Sequence, residues 1–152
     1  MDIFPRSQKT GYFGDITRTV VRGRASDRLK HAYHCVQEGQ NIAFRRIRDG
    51  AGAYDIHTAI MDYFKSEGFD TGVMKGRMQG FFHGTGHGLG LDIHEAPSFG
   101  LRSKNVLRRD NVVTVEPGLY YQGLGGVRLE DVVIVTKTGC KNLVRIPKLL
   151  EV

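Results

Sequence analysis

The sequence predicts an α+β domain with helices packed on one face of a sheet. Three observations carry that reading. Two stretches with apolar residues at helical spacing lie between residues 26 and 67, β-branched runs follow from residue 80 onward, and glycine turns separate those runs. The 152 residues suffice for one domain with a genuine core, and no repeat, low-complexity tract or Pro/Ser-rich linker divides residues 1–152.

Residues 11–22, GYFGDITRTVVR, have the aromatic and β-branched character of a strand. Ser26 and Asp27 can cap a helix that runs to about Arg48, where Asp49-Gly50-Ala51-Gly52 stops it. Leu29, Ala32, Tyr33, Val36, Ile42, Ala43 and Ile47 give it an apolar stripe. A second helix fits residues 54–67, with Ile56, Ile60, Met61 and Phe64 inward and Gly68 as its stop. Val112 to Glu116 reads as a strand that Pro117-Gly118 breaks. Residues 126–135, GVRLEDVVIV, read as one strand of ten residues.

Composition excludes several classes. The balance of apolar (40%) and charged (25%) residues is that of a folded domain rather than a disordered one. No apolar run reaches membrane-spanning length and no signal peptide opens the chain, so no membrane is expected and the default location is cytoplasmic. The net charge of +6 raises a nucleic-acid reading. The basic groups Arg22, Arg24, Arg28 and Lys30, then Arg45, Arg46 and Arg48, carry no interleaved aromatics, and solvated helix faces explain them better. Cys35 and Cys140 sit in no metal or redox motif and read as small buried or half-buried fillers.

The opening Met1-Asp2-Ile3-Phe4 has no strand leading into it, which points to a fragment. The chemistry-bearing residues lie outside the helices. They are Asp2, Asp15 in GDITRT, and His83, His87 and His94 in FFHGTGHGLGLDIHEAPSFG, followed by Glu116 in TVEPGLY and Glu130 in GVRLEDVVIVT. A carboxylate inside a Val/Leu/Ile run is costly to bury unless it is paired or coordinates metal. Arg128, on the same strand face by alternation, offers Glu130 a structural pair, so both readings stand. GTGHGLG is no dinucleotide fingerprint, and His94-Glu95 is no zinc helix because Pro97 follows. His31, His34 and His57, on the helices, read as surface or structural residues.

GDITRT, HGTGHGLGLDIHEAP, TVEPGLY and GVRLEDVVIVT, in this order, resemble the pita-bread metallopeptidases, the group of methionine aminopeptidase, aminopeptidase P and prolidase. GHGLGLDIHE is most similar to the Xaa-Pro members, the Xaa-Pro dipeptidases (prolidases) and aminopeptidase P. The resemblance implies a pita-bread fold truncated at its N-terminal side, with a piece this short weakly active or inactive. It also implies that Asp2, Asp15, His87, Glu116 and Glu130 ligate two divalent ions, with Asp15 and Glu130 bridging. That oxygen-rich set suits Mn²⁺ and tolerates Co²⁺, Fe²⁺ or Zn²⁺.

The implied reaction is hydrolysis of the bond before proline in a short peptide. Glu116 would move the proton, His94 would bind the carbonyl oxygen, His83 would line the proline pocket and Arg128 would orient the carboxylates. Arg18 is as well suited to a structural anchor. Three rivals remain: aminopeptidase P or methionine aminopeptidase activity, a non-catalytic binding protein on the same fold, and a single-zinc hydrolase built on His83, His87 and His94. A homodimer is left open.

Overall fold

The computed structural model describes residues 1–152. Ser26 starts the first helix: its side chain accepts the Leu29 amide at 3.3 Å, and its extended backbone leads into α1 (Asp27–Arg46). Asp27 in the first turn and Arg45 and Arg46 in the last complement the helix dipole. The second helix, α2 (Ala53–Ser66), ends in a Schellman motif. Gly68 takes a positive φ, its amide donates to Lys65, and the Phe69 amide donates back to Phe64 at 2.9 Å. The helices meet at Gly39, where a Cβ would come within 2.8 Å of the Phe64 ring, so a side chain there would force them apart.

Eleven short strands accompany the two helices. They are β1 (Asp2–Ile3), β2 (Ile16–Thr17), β3 (Gly72–Met74), β4 (Arg77–Gln79), β5 (Gly86–Gly88), β6 (Glu95–Phe99), β7 (Val112–Val115), β8 (Gly118–Tyr121), β9 (Gly125–Arg128), β10 (Asp131–Val135) and β11 (Cys140–Asn142). The main sheet is antiparallel with order β11-β10-β7-β5-β6, and β1-β2, β3-β4 and β8-β9 form three separate pairs. Ala32, Val36, Ala43, Ile56, Ile60 and Phe64 share one buried cluster with Val113, Val115, Leu119, Val127, Leu129 and Val133. The helices therefore cover one side of the strands, as the patterning predicts.

The structure departs from the sequence expectations in four places. The stretch 126–135 is two strands, not one: β9 pairs with β8, β10 pairs with β7 and β11, and Leu129-Glu130 crosses between them. At the crossing the Glu130 amide donates to Thr17 (3.0 Å) and its carbonyl accepts from Arg18 (2.7 Å), so a loop replaces the ladder. Residues 11–22 form only the two-residue β2 plus isolated bridges at Phe13 and Val21, because their backbone groups bond in turn to Gly90, Pro5, Met1 and Leu150. A hairpin before residue 80, β3-β4, turns on Lys75 and Gly76, both at positive φ. Met61 is only half-buried at the edge of the core.

Arg18 is an anchor. Its guanidinium is buried against Asp131 (2.7 Å) and donates to the Ile146 and Glu130 carbonyls. Cys35 is buried and Cys140 half-buried, and both are free thiols. Lys30 pairs with Glu151 and Arg45 with Glu38, as expected for solvated helix faces. No helix is long and apolar enough to cross a membrane.

Candidate metal centre

Five backbone segments deliver the acidic and imidazole side chains. Asp2 lies in β1, Asp15 just before β2, His87 in the middle of β5, Glu116 directly after β7, and Glu130 in the crossing between β9 and β10. The antiparallel pairing of β1 and β2 sets Asp2 opposite Thr17. Gly86 lets β5 lie against β7, since a Cβ there would run into the Thr114 carbonyl. The Thr114 hydroxyl accepts the His87 amide (3.0 Å) and donates to Glu116 (3.2 Å), fixing the two strands in register at the site.

All five side chains line one cavity of about 160 Å³, together with Phe4, Ile93 and His94. Donor atoms of Asp15, His87 and Glu130 lie within 4.8 Å of one another. Glu116 Oε1 is 3.2 Å from His87 Nε2, and Asp15 Oδ2 is 3.8 Å from it. His87 Nδ1 faces the Gly88 carbonyl at 3.0 Å, and a carbonyl only accepts, so Nδ1 carries the proton and a neutral ring leaves Nε2 free for a cation.

Electrostatics show what such an assembly lacks. Burial, with Glu116, Asp15 and Asp2 nearby, pushes Glu130 up to about 8 against the pull of its Thr17 hydrogen bond. Burial and the Asp2 and Glu116 charges push Asp15 up to about 6. For Glu116 burial acts upward, but the His87 hydrogen bond and charge outweigh it and hold the carboxyl below its ordinary value. For His87 burial acts downward and is outweighed by Glu116, the Gly88 carbonyl and Asp15, which leave the ring more basic than usual. Carboxylates crowded together out of water, with one correctly turned imidazole, are a donor set that fits divalent cations.

Of the two readings the sequence left open for Glu130, the pair with Arg128 is not formed. Arg128 lies beside two other carboxylates, where its expected orienting role would put it. Its Nη2 reaches Asp2 at 2.5 Å, its Nε is 4.0 Å from Glu116, and the crossing at Glu130 breaks the alternation that would have put Arg128 and Glu130 on one face. Glu130 is held by the Thr17 hydroxyl at 2.6 Å instead. The same hydroxyl lies 3.0 Å from Asp2 and accepts from Arg128 Nε at 3.2 Å.

His83 turns one ring nitrogen to the Gly84 carbonyl (2.8 Å) and the other to the Tyr120 hydroxyl (2.9 Å), which in turn accepts from Arg128 (3.3 Å). With both nitrogens engaged, His83 does not join His87 and His94 in a three-histidine donor set. His94 is exposed, and its ring stands edge-on to His87 with centroids 4.4 Å apart. His83, His94 and Arg128 line an open groove of about 660 Å³ that adjoins the cavity through Asp2, His87 and Glu116.

Sequence reasoning missed three supporting side chains, Thr17, Tyr120 and Gln40, whereas His57, expected as surface or structural, is structural. Buried Gln40 on α1 donates to the carbonyls of Val115 (2.9 Å) and Leu129 (3.4 Å), the residues before Glu116 and Glu130. His57 on α2 bonds the buried Thr85 hydroxyl at 2.9 Å, and Thr85 accepts the Glu116 amide at 2.7 Å. The available signals were a polar residue at an inward helix position for Gln40 and a hydroxyl within the DITRT motif for Thr17.

The sequence profile of metallopeptidase family M24 matches residues 1–137. The chain belongs to metallopeptidase family M24. It is similar to an uncharacterized peptidase of Bacillus subtilis, 38% identical over 91% of this chain and 37% of the relative. Among solved structures, it superposes on the Xaa-Pro dipeptidase of Bacillus anthracis with a TM-score of 0.84 and 42% identity, covering 93% of this chain and 38% of that one. The X-Pro aminopeptidase of Thermotoga maritima gives a TM-score of 0.87 at 31% identity, covering 99% and 40%. The fold is thus the α+β pita-bread fold of the M24 enzymes, and the chain spans about two fifths of the length of the relatives it matches.

Proposed function

We propose that this chain carries the dinuclear metal site of an M24 peptidase that hydrolyses the bond before proline in Xaa-Pro dipeptides. The observation that carries the reading is the convergence of Asp2, Asp15, His87, Glu116 and Glu130 on one cavity of about 160 Å³. Asp2, Asp15, His87, Glu116 and Glu130 would hold the two ions, Asp2 once released from Arg128. The hard, oxygen-rich donor set suits Mn²⁺ first, with Co²⁺, Fe²⁺ or Zn²⁺ accommodated. When bound, the ion pair supplies the Lewis acidity that activates water and polarises the scissile carbonyl.

The chain's own groups do the remaining work. Glu116 takes the proton of the attacking water on a carboxylate oxygen and delivers it to the departing proline nitrogen. The exposed imidazole of His94 donates to the carbonyl oxygen as charge develops there. His83, with Tyr120 and Phe82 beside it in the groove, lines the pocket for the proline ring and its carboxylate. Arg128 orients Asp2 and keeps positive charge beside Glu116.

The test is hydrolysis of Gly-Pro, Ala-Pro and Xaa-Pro-Xaa peptides by the Mn²⁺-loaded protein, with metal content measured on the same samples. Dipeptide cleavage that depends on bound metal and disappears in Glu116→Gln supports the reading. Preference for the longer peptides moves the assignment to an Xaa-Pro aminopeptidase. Nucleic-acid binding without metal uptake or cleavage overturns it.

A further inference from the structure

A second group of metal-binding side chains lies apart from the cavity and shares no residue with it. His31 and Cys35 sit one turn apart on α1, so both project from the same face, and Glu67 is the C-cap of α2 beside them. Cys35 Sγ lies 3.8 and 3.9 Å from the two ring nitrogens of His31 and 4.0 Å from Glu67 Oε2. His31 Nε2 is 3.8 Å from the same carboxylate oxygen. One sulfur, one nitrogen and one oxygen thus form a nearly equilateral triangle whose His–Glu edge is longer than a hydrogen bond and whose sulfur contacts are at or near the outer limit of one.

Tetrahedral zinc, with bonds of about 2.0 to 2.3 Å, needs its donors about 3.3 to 3.6 Å apart, a closure of a few tenths of an ångström. The surroundings also suit a cation. The Glu67 carbonyl, at the negative end of α2, lies 3.4 Å from His31 Nε2 and accepts from it in the metal-free ring, so binding through Nε2 shifts that proton to Nδ1. The Phe69 ring stacks on the imidazole at 5.3 Å and holds its plane. His31 and Glu67 are 50% and 37% exposed, whereas Cys35 is 2% exposed, so an ion would enter through the first two and meet sulfur at the base.

We propose that His31, Cys35 and Glu67 form a second metal site that binds one Zn²⁺, with water completing the tetrahedron. The thiolate and imidazole select a borderline-soft ion here, whereas the cavity offers no sulfur. Because the ligand is the thiolate, binding releases a proton and strengthens as pH rises. The ion ties the N-terminal half of α1 to the end of α2.

Co²⁺ provides the test, since only a sulfur ligand gives the near-ultraviolet sulfur-to-cobalt charge-transfer band. Co²⁺ added beyond the two equivalents that the cavity would hold is expected to produce the band in the unaltered protein, in Cys140→Ser and in His87→Ala, and Zn²⁺ is expected to erase it by displacement. Cys35→Ser should lack the band, and His31→Ala and Glu67→Gln should need about tenfold more Co²⁺ or greater to reach it. Absence of the band, its persistence unchanged in His31→Ala and Glu67→Gln, or its loss in Cys140→Ser overturns the proposal. The band is blind to the sulfur-free cavity, so neither outcome bears on the peptidase reading.

Discussion

The Thr17 hydroxyl lies 2.6 Å from the Glu130 carboxylate across 113 positions of sequence, and the same oxygen meets Asp2 and Arg128. One hydroxyl therefore sets the spacing of two proposed ligands from the edge of the cavity. Thr17→Val keeps the shape and removes the hydroxyl. It is expected to weaken Mn²⁺ binding about 10- to 100-fold, with Thr17→Ser close to the unaltered protein. Calorimetric titration of the metal-free protein with Mn²⁺ measures both.

Gln40 is the corresponding brace from the helix side. Its amide holds the Val115 and Leu129 carbonyls, and its own Oε1 has no partner. Gln40→Leu leaves both buried carbonyls without their donor, which costs about 1 to 3 kcal/mol of stability. Gln40→Glu is expected to be worse, because a buried carboxylate would face two carbonyl oxygens. Urea midpoints of the metal-free variants give the comparison.

His57 predicts a pH dependence of folding. Burial, with His83 nearby, holds its imidazole down at about 4, against 6.5 for the free group. As pH falls from 6.5 toward 4 the unfolded chain takes up a proton that the folded chain refuses, so stability present above 6.5 is lost through that window. Between about pH 7.5 and 4.5 the unaltered protein should lose about 2 to 3 kcal/mol more than His57→Gln. Equal losses in the two proteins, by urea unfolding, would remove His57 from the explanation.

Metal uptake is expected to expel protons. Glu130 titrates at about 8 without metal, so near neutral pH it holds a proton that a metal ligand cannot keep. Addition of Mn²⁺ at about pH 7 should release about one proton per chain, with the number falling toward zero above about pH 9. Titration in buffers of different ionisation enthalpy reads it directly. In Glu130→Gln the release should fall by about one proton per chain, leaving what the His87 ring gives up.

Much of this site was legible because its residues come as short, ordered motifs with strong local signals: glycines around His87, a proline after Glu116, a carboxylate within an apolar run at Glu130. The helices were legible to within a residue or two because Ser26 and Gly68 punctuate them. The break at Leu129-Glu130 was not, since strand propensity cannot register that the chain leaves one sheet pair for another. The same blindness left an Arg128–Glu130 pair open as one of two readings. Thr17 and Gln40 escaped because each acts through partners 75 to 113 positions away, a relation that only the folded chain displays.

The most direct measurement is anomalous scattering from crystals grown with saturating Mn²⁺. Two peaks about 3.5 to 4 Å apart are expected inside the cavity, with Asp15 and Glu130 touching both and His87 touching one. A single peak held by His83, His87 and His94, or density that leaves Asp15 and Glu130 uncoordinated, would contradict a two-ion centre.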